Sequence, residues 1–242
     1  MEVPKTTDGL QLRTGVKPVW KQMLDWGCIL LASPAVLIIG LFIALVIRLG
    51  SRGPIFFYQD RVGQAGRTFR LYKFRTMKVN AETDSHRQHT QQLIRSGAPM
   101  TKLDVMDDPR LIPFGSVLRA TGLDELPQLI NVLRGEMSLV GPRPCIRYEY
   151  EAYEPWQRER LSAVPGLTGL WQVSGKNRLP FEDMVRLDIE YFHRQSLWLD
   201  LKIMARTLPA LWDQCADQRV AKRAQATSAS EEISKSVQSV RA

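Results

Sequence analysis

Hydrophobic and polar positions divide the chain into one long apolar run, a group of short alternating segments and two helical stripes. From Trp26 to Ile47 there are 22 residues without a charge, bounded by Asp25 and Arg48. A helix of that length extends about 33 Å, enough for the hydrocarbon core of a bilayer. Ile55 to Gln59 and Arg67 to Phe74 read as short strands around a turn carrying Gly63 and Gly66, and together they predict a β-hairpin. Residues 80–104 are polar and predict a helical insertion; Pro109 and Pro113 then break the chain before a short helix near Gly115 to Arg119. Leu126, Leu129, Ile130 and Leu133 fall at i, i+3, i+4 and i+7, an amphipathic helix that starts near Asp124 and stops at Gly135. Pro127 is tolerated in its first turn. Residues 149–161 mix aromatics with charges, which fits either an exposed helix or a membrane surface. Leu197, Leu201, Met204, Leu208 and Leu211 form one stripe that we read as packed core; Trp198 and Trp212 near its ends leave interfacial contact as the alternative.

The apolar run is too long for a signal peptide and has no small-residue cleavage site after it, so it predicts a membrane segment. Both flanks are basic, Lys17 and Lys21 before and Arg48 and Arg52 after. The positive-inside rule is then best satisfied when both ends stay cytoplasmic. Ser33-Pro34 lies in the first half, where proline removes a donor and can kink the helix. A helix that turns back and an ordinary span with a tolerated proline both agree with this pattern.

The net charge of +8 is unevenly placed: residues 48–78 hold eight Lys or Arg against one acid, Asp60. Basic charge after an apolar run suits anionic headgroups or a polyphosphate substrate. No helix-turn-helix, zinc finger, RNP or GXXG signature accompanies it, which argues against specific nucleic-acid binding. Cys28, Cys145 and Cys215 form no CxxC pair, and His86, His89 and His193 lack a supporting motif, so neither disulfides nor a zinc site are expected. P-loop, Rossmann, α/β-hydrolase and zincin signatures are missing as well.

The chemistry-bearing stretch runs from Leu118 to Gln128, where Asp124 and Glu125 stand together at a predicted helix start, five residues after Arg119. A helix N-terminus offers free amides and partial positive charge, which stabilise carboxylate and phosphate alike. A carboxylate there stays ionised and can attack phosphorus while its neighbour holds Mg²⁺. Plain capping is the competing account of such a pair. Further cations tilt the balance. Arg143 lies between prolines in Gly141-Pro142-Arg143-Pro144, a segment barred from regular structure. Lys73 and Arg75 are phosphate-compatible, a solvated strand face being the alternative.

In these motifs the sequence resembles the bacterial polyprenyl-phosphate phosphoglycosyl transferases. The likeness runs from about Lys21 to Trp212 and includes Lys73-Phe74-Arg75-Thr76-Met77, Asp108-Pro109-Arg110, Leu123 to Gln128, Val140 to Pro144, Pro165 to Gly169 and Ser196 to Asp200. It implies an α+β fold: a re-entrant membrane helix broken at Ser33 and Pro34, plus a small, mostly helical cytoplasmic catalytic domain with a short β-hairpin and interfacial amphipathic helices. It implies Asp124 as nucleophile and Glu125 as Mg²⁺ ligand, with Lys73, Arg75, Arg119 and Arg143 facing substrate. The expected reaction moves a hexose 1-phosphate from a UDP-sugar to undecaprenyl phosphate through a phosphosugar ester on Asp124, releasing UMP. Pro165 to Trp171 and Gln172 to Asn177 look more like the exopolysaccharide branch, which uses UDP-glucose or UDP-galactose, than the branch that uses N-acetylated, modified sugars.

The expected organisation is a flexible start (1–16), an anchor (17–50), a catalytic domain (51–212) and a disordered tail (213–242), on the cytoplasmic face of the bacterial inner membrane. Expected partners are the UDP-sugar, undecaprenyl phosphate, inner-membrane phospholipid and, among allowed assemblies, a homodimer. A catalytically silent scaffold that binds the same ligands is the reading from another class. The adjacent acids argue against it, since a binding module has no use for a nucleophile beside a metal ligand.

Overall fold

The apolar run forms a single helix, α1 (Val19–Gly50), of 32 residues. In the computed structural model, which describes residues 16–78, 110–175 and 179–212, it is the one helix long and apolar enough to cross a membrane. The expected insertion at 80–104, most of the Asp108-Pro109-Arg110 motif, Lys176-Asn177 and the tail lie outside the described residues.

Ser33 and Pro34 were expected to break this helix, and they do not end it. The reason is local. Pro34 has no N–H to offer the carbonyl four residues back, which is Leu30, and the Ser33 hydroxyl donates to that same carbonyl at 2.8 Å. A serine beside the proline thus satisfies the acceptor the proline orphans, as a helix in lipid requires.

Both ends of α1 are attached to the same globular body. Near the start, Lys21, Asp25 and Ile29 are buried; near the end, Ile43 and Ile47 are. Steps of four residues within each group put them on one face, leaving Leu30, Leu31, Leu37, Ile38, Leu41 and Phe42 exposed. The first attachment is ionic. Lys21 donates to the Asp200 carboxylate and, at 2.7 Å, to the Tyr191 hydroxyl, which itself lies 2.8 Å from Asp200. One turn on, Asp25 accepts from the Ser138 hydroxyl at 3.0 Å and the Leu139 amide at 2.9 Å, and pairs with Lys17 at 2.6 Å. Lys17 and Lys21, which in sequence look like positive charges for the headgroups, are therefore neutralised inside the protein. The second attachment packs Ile43 and Ile47 on Phe74, Ile112 and Leu118. Past the helix end, Arg75 donates to the carbonyls of Ser51 and Arg52 at 3.0 and 2.8 Å, where cations suit a helix C-terminus.

Strands β1 (Phe56–Val62) and β2 (Thr68–Phe74) form the expected antiparallel hairpin, in register from Phe56 opposite Phe74 to Val62 opposite Thr68. Gly66 takes φ +76° in its turn, a conformation in which a side chain is strained. A short helix α2 (Gly115–Thr121) follows, then a 3₁₀ turn (Leu123–Gln128) continuous with α3 (Leu129–Leu133). The expected amphipathic helix is thus wound more tightly over its first half, where Pro127 sits.

β3 (Ser138–Val140) pairs in parallel with β4 (Gly166–Thr168), and between them lie α4 (Arg147–Ala152) and a 3₁₀ turn (Trp156–Ser162). Residues 149–161 are neither simply exposed nor a surface film: Tyr153 and Leu161 join Val62, Cys145, Phe181 and Val185 in a core cluster. After α5 (Leu170–Val173) comes α6 (Phe181–Arg194), acidic in its first turn and basic in its last, as the helix dipole favours.

The last helix, α7 (residues 197–212), corrects a second expectation. Its stripe is core only in part: Met204 packs against the cluster of Val140, Tyr191 and Ile203 and Leu211 is half-buried, but Leu197 and Leu201 are exposed and Leu208 is 75% exposed. The face turned fully inward carries Asp200 and Ile203, because Asp200 is the partner of Lys21. Much of the apolar surface is thus left on the outside with Trp198 and Trp212, on a helix whose Lys202 and Arg206 are also exposed.

Two predictions follow from these contacts. Lys21→Met leaves Asp200 buried without its cation and should cost about 3–5 kcal/mol in denaturant unfolding in detergent, whereas K21M/D200L should recover most of the loss; equal stability of the single variant and the native chain refutes the ionic attachment. A Cβ on Gly166 would lie 2.1 Å from the Gly141 nitrogen. Gly166→Ala should therefore destabilise by about 3 kcal/mol or more, while Gly27→Ala, whose Cβ would meet nothing within 4 Å, should be neutral or better by the same measurement.

Candidate active site

One strand and one helical run bring the expected acids and cations together. β2 supplies Lys73; the run from Leu123 to Leu133 supplies Asp124 and Glu125 in its first turn. Gly122, with φ +72°, lets the chain reverse sharply out of α2, and the Glu125 amide closes onto its carbonyl at 3.0 Å. Register between strand and helix is fixed by Asn131, which is fully buried. Its side chain behaves like a neighbouring strand, accepting from the Tyr72 amide at 3.2 Å and donating to the Arg70 carbonyl at 2.8 Å. Glu136 holds the same amide at 2.6 Å.

Lys73 then lies where it touches both acids. Its ammonium is 2.7 Å from Glu125 Oε1 and 3.9 Å from Asp124 Oδ2. Asp124 is only 7% exposed, so its charge sits largely out of water. Arg143 reaches in from the other side, 3.9 Å from Glu125 Oε1, with its side chain 40% exposed. Lys73, Glu125 and Arg143 line a cleft together with Arg61, Gln128 and Gly166, and Asp124 adjoins it through its neighbour Glu125 and Lys73. Strong charges held in a half-buried cleft act at reduced dielectric and so interact more strongly than on an open surface.

The remaining expected residues divide. Arg119 stands half-buried in the last turn of α2. Arg75 departs from the substrate-facing expectation: buried, with both terminal nitrogens on the Ser51 and Arg52 carbonyls, it secures the end of α1. Ser33, half-buried, and Pro34, exposed, lie in the middle of α1 and are not among the cleft-lining residues.

Next to the cleft, at Gly166, backbone crosses backbone. The Gly141 amide donates to the Thr168 carbonyl and the Gly166 amide to the Pro142 carbonyl, each at 2.8 Å. At Gly169, too, a Cβ would come within 2.5 Å of the Gly141 carbonyl. The glycines of Pro165 to Gly169 are thus there to let two segments touch.

Sequence reasoning passed over Asn131, Arg61, Gln128 and the buried pair Arg160 and Asp188. The repeated Gly-Pro punctuation around 141–144 and 165–169 was the available signal that two irregular segments meet. Burial pushes the Cys145 thiol up to about 11, so it is no nucleophile at neutral pH. His193 is exposed and sits 2.9 Å from Glu159, remote in role from the acids.

Comparison with known proteins agrees with this arrangement. The profile of the family described as bacterial sugar transferase matches residues 16–214. The chain is 37% identical over 214 residues to the exopolysaccharide production protein ExoY of Sinorhizobium fredii, a match covering 86% of this chain and 91% of that protein. It is 48% identical over 162 residues to the galactosyl transferase CpsE of Streptococcus agalactiae, covering 64% of this chain but 34% of the relative. With the UDP-glucose:undecaprenyl-phosphate glucose-1-phosphate transferase of Caulobacter vibrioides it shares 41% identity over 179 residues, 71% of this chain and 61% of the relative. The chain therefore spans about a third of one relative and nearly all of another. A profile match that takes in the anchor helix, the acid pair and the glycine crossing together means that the chain belongs to the bacterial sugar transferase family.

Proposed function

We propose that the protein transfers a hexose 1-phosphate from a UDP-hexose to undecaprenyl phosphate, by way of a phosphosugar ester on Asp124. In the first step an Asp124 carboxylate oxygen attacks the sugar-bearing phosphorus, a P–O bond forms, and the bond to the bridging oxygen breaks to release UMP. In the second, a phosphate oxygen of undecaprenyl phosphate attacks the same phosphorus and the carboxylate leaves. The product is undecaprenyl diphosphate hexose, and no oxidant or reductant is needed.

The observation that carries this reading is two adjacent acids set against two cations. Lys73 lies 2.7 Å from Glu125 and 3.9 Å from Asp124, and Arg143 lies 3.9 Å from Glu125. Phosphoryl transfer between anions needs positioned cations more than it needs covalent help, and Lys73 and Arg143 flank the place where charge would move. The partial burial of Asp124 keeps water from competing with the acceptor.

Mg²⁺ fits the donor set. Among the described residues no group of three or more His, Cys, Asp or Glu could cage a metal, but Mg²⁺ is usually held by one or two carboxylates plus substrate phosphates. Glu125 would hold it together with donor phosphate oxygens. When bound, the ion offsets phosphate charge.

The re-entrant arrangement is supported by the attachment of both ends of α1 to one body. A straight helix of this length spans about 48 Å, which would carry its far end across a bilayer and away from any body on the near side. With Lys21 on Asp200 and Ile47 on Ile112 at once, the reading that fits is an apolar apex dipping into lipid and both ends on the cytoplasmic face. We assign anchoring to residues 17–50 and catalysis to 51–212. Exposed Phe56, Phe57, Phe114, Trp198, Leu208 and Trp212 give the body apolar and aromatic groups suited to the lipid interface. For the sugar, the relatives named for galactose and glucose favour UDP-galactose or UDP-glucose over N-acetylated donors.

Purified protein given UDP-hexose, undecaprenyl phosphate and Mg²⁺ should release UMP, and Asp124→Asn should slow that release by about 10³-fold or more. Intact-mass analysis after donor alone should find a hexose phosphate on Asp124. Release of UDP, or turnover that survives loss of Asp124, sinks the mechanism. Chelation should stop turnover and added Mg²⁺ restore it; undiminished rates in excess chelator would remove the metal. For topology, cysteines placed at Val16 and Gly53 in a background without Cys28, Cys145 and Cys215 should both react with impermeant maleimide only in inverted vesicles, and labelling of either from outside intact cells overturns the re-entrant reading.

A further inference from the structure

The segment that presents Arg143 is held by two buried arginines that no proposed chemical step uses. Proline at 142 and 144 bars a regular strand or helix, and while the Pro142 carbonyl accepts from the Gly166 amide, the carbonyls of Arg143 and Pro144 take their donors from side chains. Arg160, on the 3₁₀ turn Trp156–Ser162, donates from Nη2 to the Arg143 carbonyl at 3.3 Å. Arg61, on β1, donates from Nη1 to the next carbonyl, Pro144, at 3.3 Å.

Each arginine is itself braced. Arg160 Nη2 is 2.5 Å from Asp188 Oδ2 on α6, and its Nη1 donates to the Tyr153 hydroxyl at 3.0 Å. Arg61 Nη2 donates to Gln59 Oε1 at 2.8 Å. Arg61, Arg160 and Asp188 are all buried. Such groups are expensive to take out of water, and a buried ion pair is seldom more stabilising than apolar groups of the same size. Burial pushes the Asp188 carboxyl up to about 6, against the pull of Arg160. A carboxyl raised in the folded state contributes stability that is complete below its unfolded value and lost as pH rises through 6, so the ionised Asp188 costs stability at neutral pH. Stability is therefore a poor reason for this pair, and geometry is a better one. A guanidinium is a rigid fork of donors suited to hold a carbonyl and a carboxylate at once.

We infer that Arg61, Arg160 and Asp188 are positioning residues, a clamp that fixes the backbone carbonyls of Arg143 and Pro144 and so aims the Arg143 guanidinium toward Glu125. The inference rests on the proposed reading of Arg143 as a cation facing the donor phosphates. It adds three residues to which no chemical step is assigned, Arg61 at the cleft lining and Arg160 with Asp188 in the core formed by α6 and the 3₁₀ turn.

The test replaces the pair by apolar groups of similar size. R160M/D188L in detergent should keep its thermal midpoint within about 3 °C of the native chain or exceed it, since a buried pair exchanged for apolar groups is often neutral or stabilising. Hydrogen–deuterium exchange read by mass spectrometry should then rise about tenfold or more for the amides between Gly141 and Arg147, with β2 and α6 unchanged. UMP release should fall about 10–100-fold in kcat, with the donor KM moving by less than about threefold, the signature of a misplaced group. In an Arg143→Ala background the same pair of changes should cost nothing further, and Arg160→Lys should restore part of the rate. Unchanged exchange in the 141–147 segment, or rate losses that multiply independently of Arg143, overturns the clamp. Should R160M/D188L fail to fold, Arg61→Met is read by the same exchange and the same Arg143→Ala background. If Arg143→Ala alone leaves UMP release intact, the phosphate role of Arg143 falls and the aiming falls with it, while exchange still reports whether the carbonyls are held.

Discussion

The Lys21, Asp200 and Tyr191 cluster is the constraint from which the rest of the architecture hangs. A helix apolar enough for lipid has nothing specific to offer a protein surface on its lipid-facing side, so its attachment must come from the few polar positions it can carry. Lys21 and Asp25 are those positions. Each is almost completely buried, and together they grip α6, α7 and β3. A charge pair of this kind contributes little net stability against an apolar alternative but strongly penalises any arrangement that separates its members. It therefore specifies where the membrane helix lies.

That placement is passed on to the cleft through a short path. Asp25 secures Ser138 and Leu139 at the start of β3; β3 pairs with β4; their crossing sets Gly141 against Gly166 and leads directly into Pro142-Arg143-Pro144. On the opposite wall, Ile29 of α1 packs with Leu71, Val132 and Met137, joining the strand that carries Lys73 to the helix that follows the acids. The apolar helix and the cleft are thus consecutive parts of one packed unit, as the proposed action on a lipid-borne phosphate would need.

How much of this could be read in the sequence depended on the range of the interaction. The hairpin was legible because alternation and turn glycines are local, and so was the apolar run. The acids at 124 and 125 were legible because a helix start is marked within a few residues. Asp200 was not, since its partner Lys21 lies 179 positions away, and a lone aspartate in a leucine stripe looks like the solvent face. Assigning Leu197, Leu201 and Leu208 inward followed from that, for periodicity gives a helix two faces without saying which is buried. The contact of Arg75 with the end of α1 was hidden for the same kind of reason: a basic residue near an alternating strand says nothing of carbonyls more than twenty positions away. Ser33 and Pro34 were recognised as a pair, but the hydrogen bond by which serine supplies what proline removes needs the helix to be built first.

The means of holding Arg143 fits the cleft around it. A strand or helix at 142–144 would bring its own ladder of partners to a place where Gly141, Gly166 and Gly169 already let backbone touch backbone. Prolines remove that option, and the carbonyls of the segment are met one by one: that of Pro142 by the Gly166 amide, those of Arg143 and Pro144 by side chains. Two buried arginines supply the latter two bonds and leave the Arg143 side chain free to face Glu125. The burial of Arg61, Arg160 and Asp188 is then a consequence of an open cleft: the less regular the wall that faces substrate, the more of its fixation must come from the core.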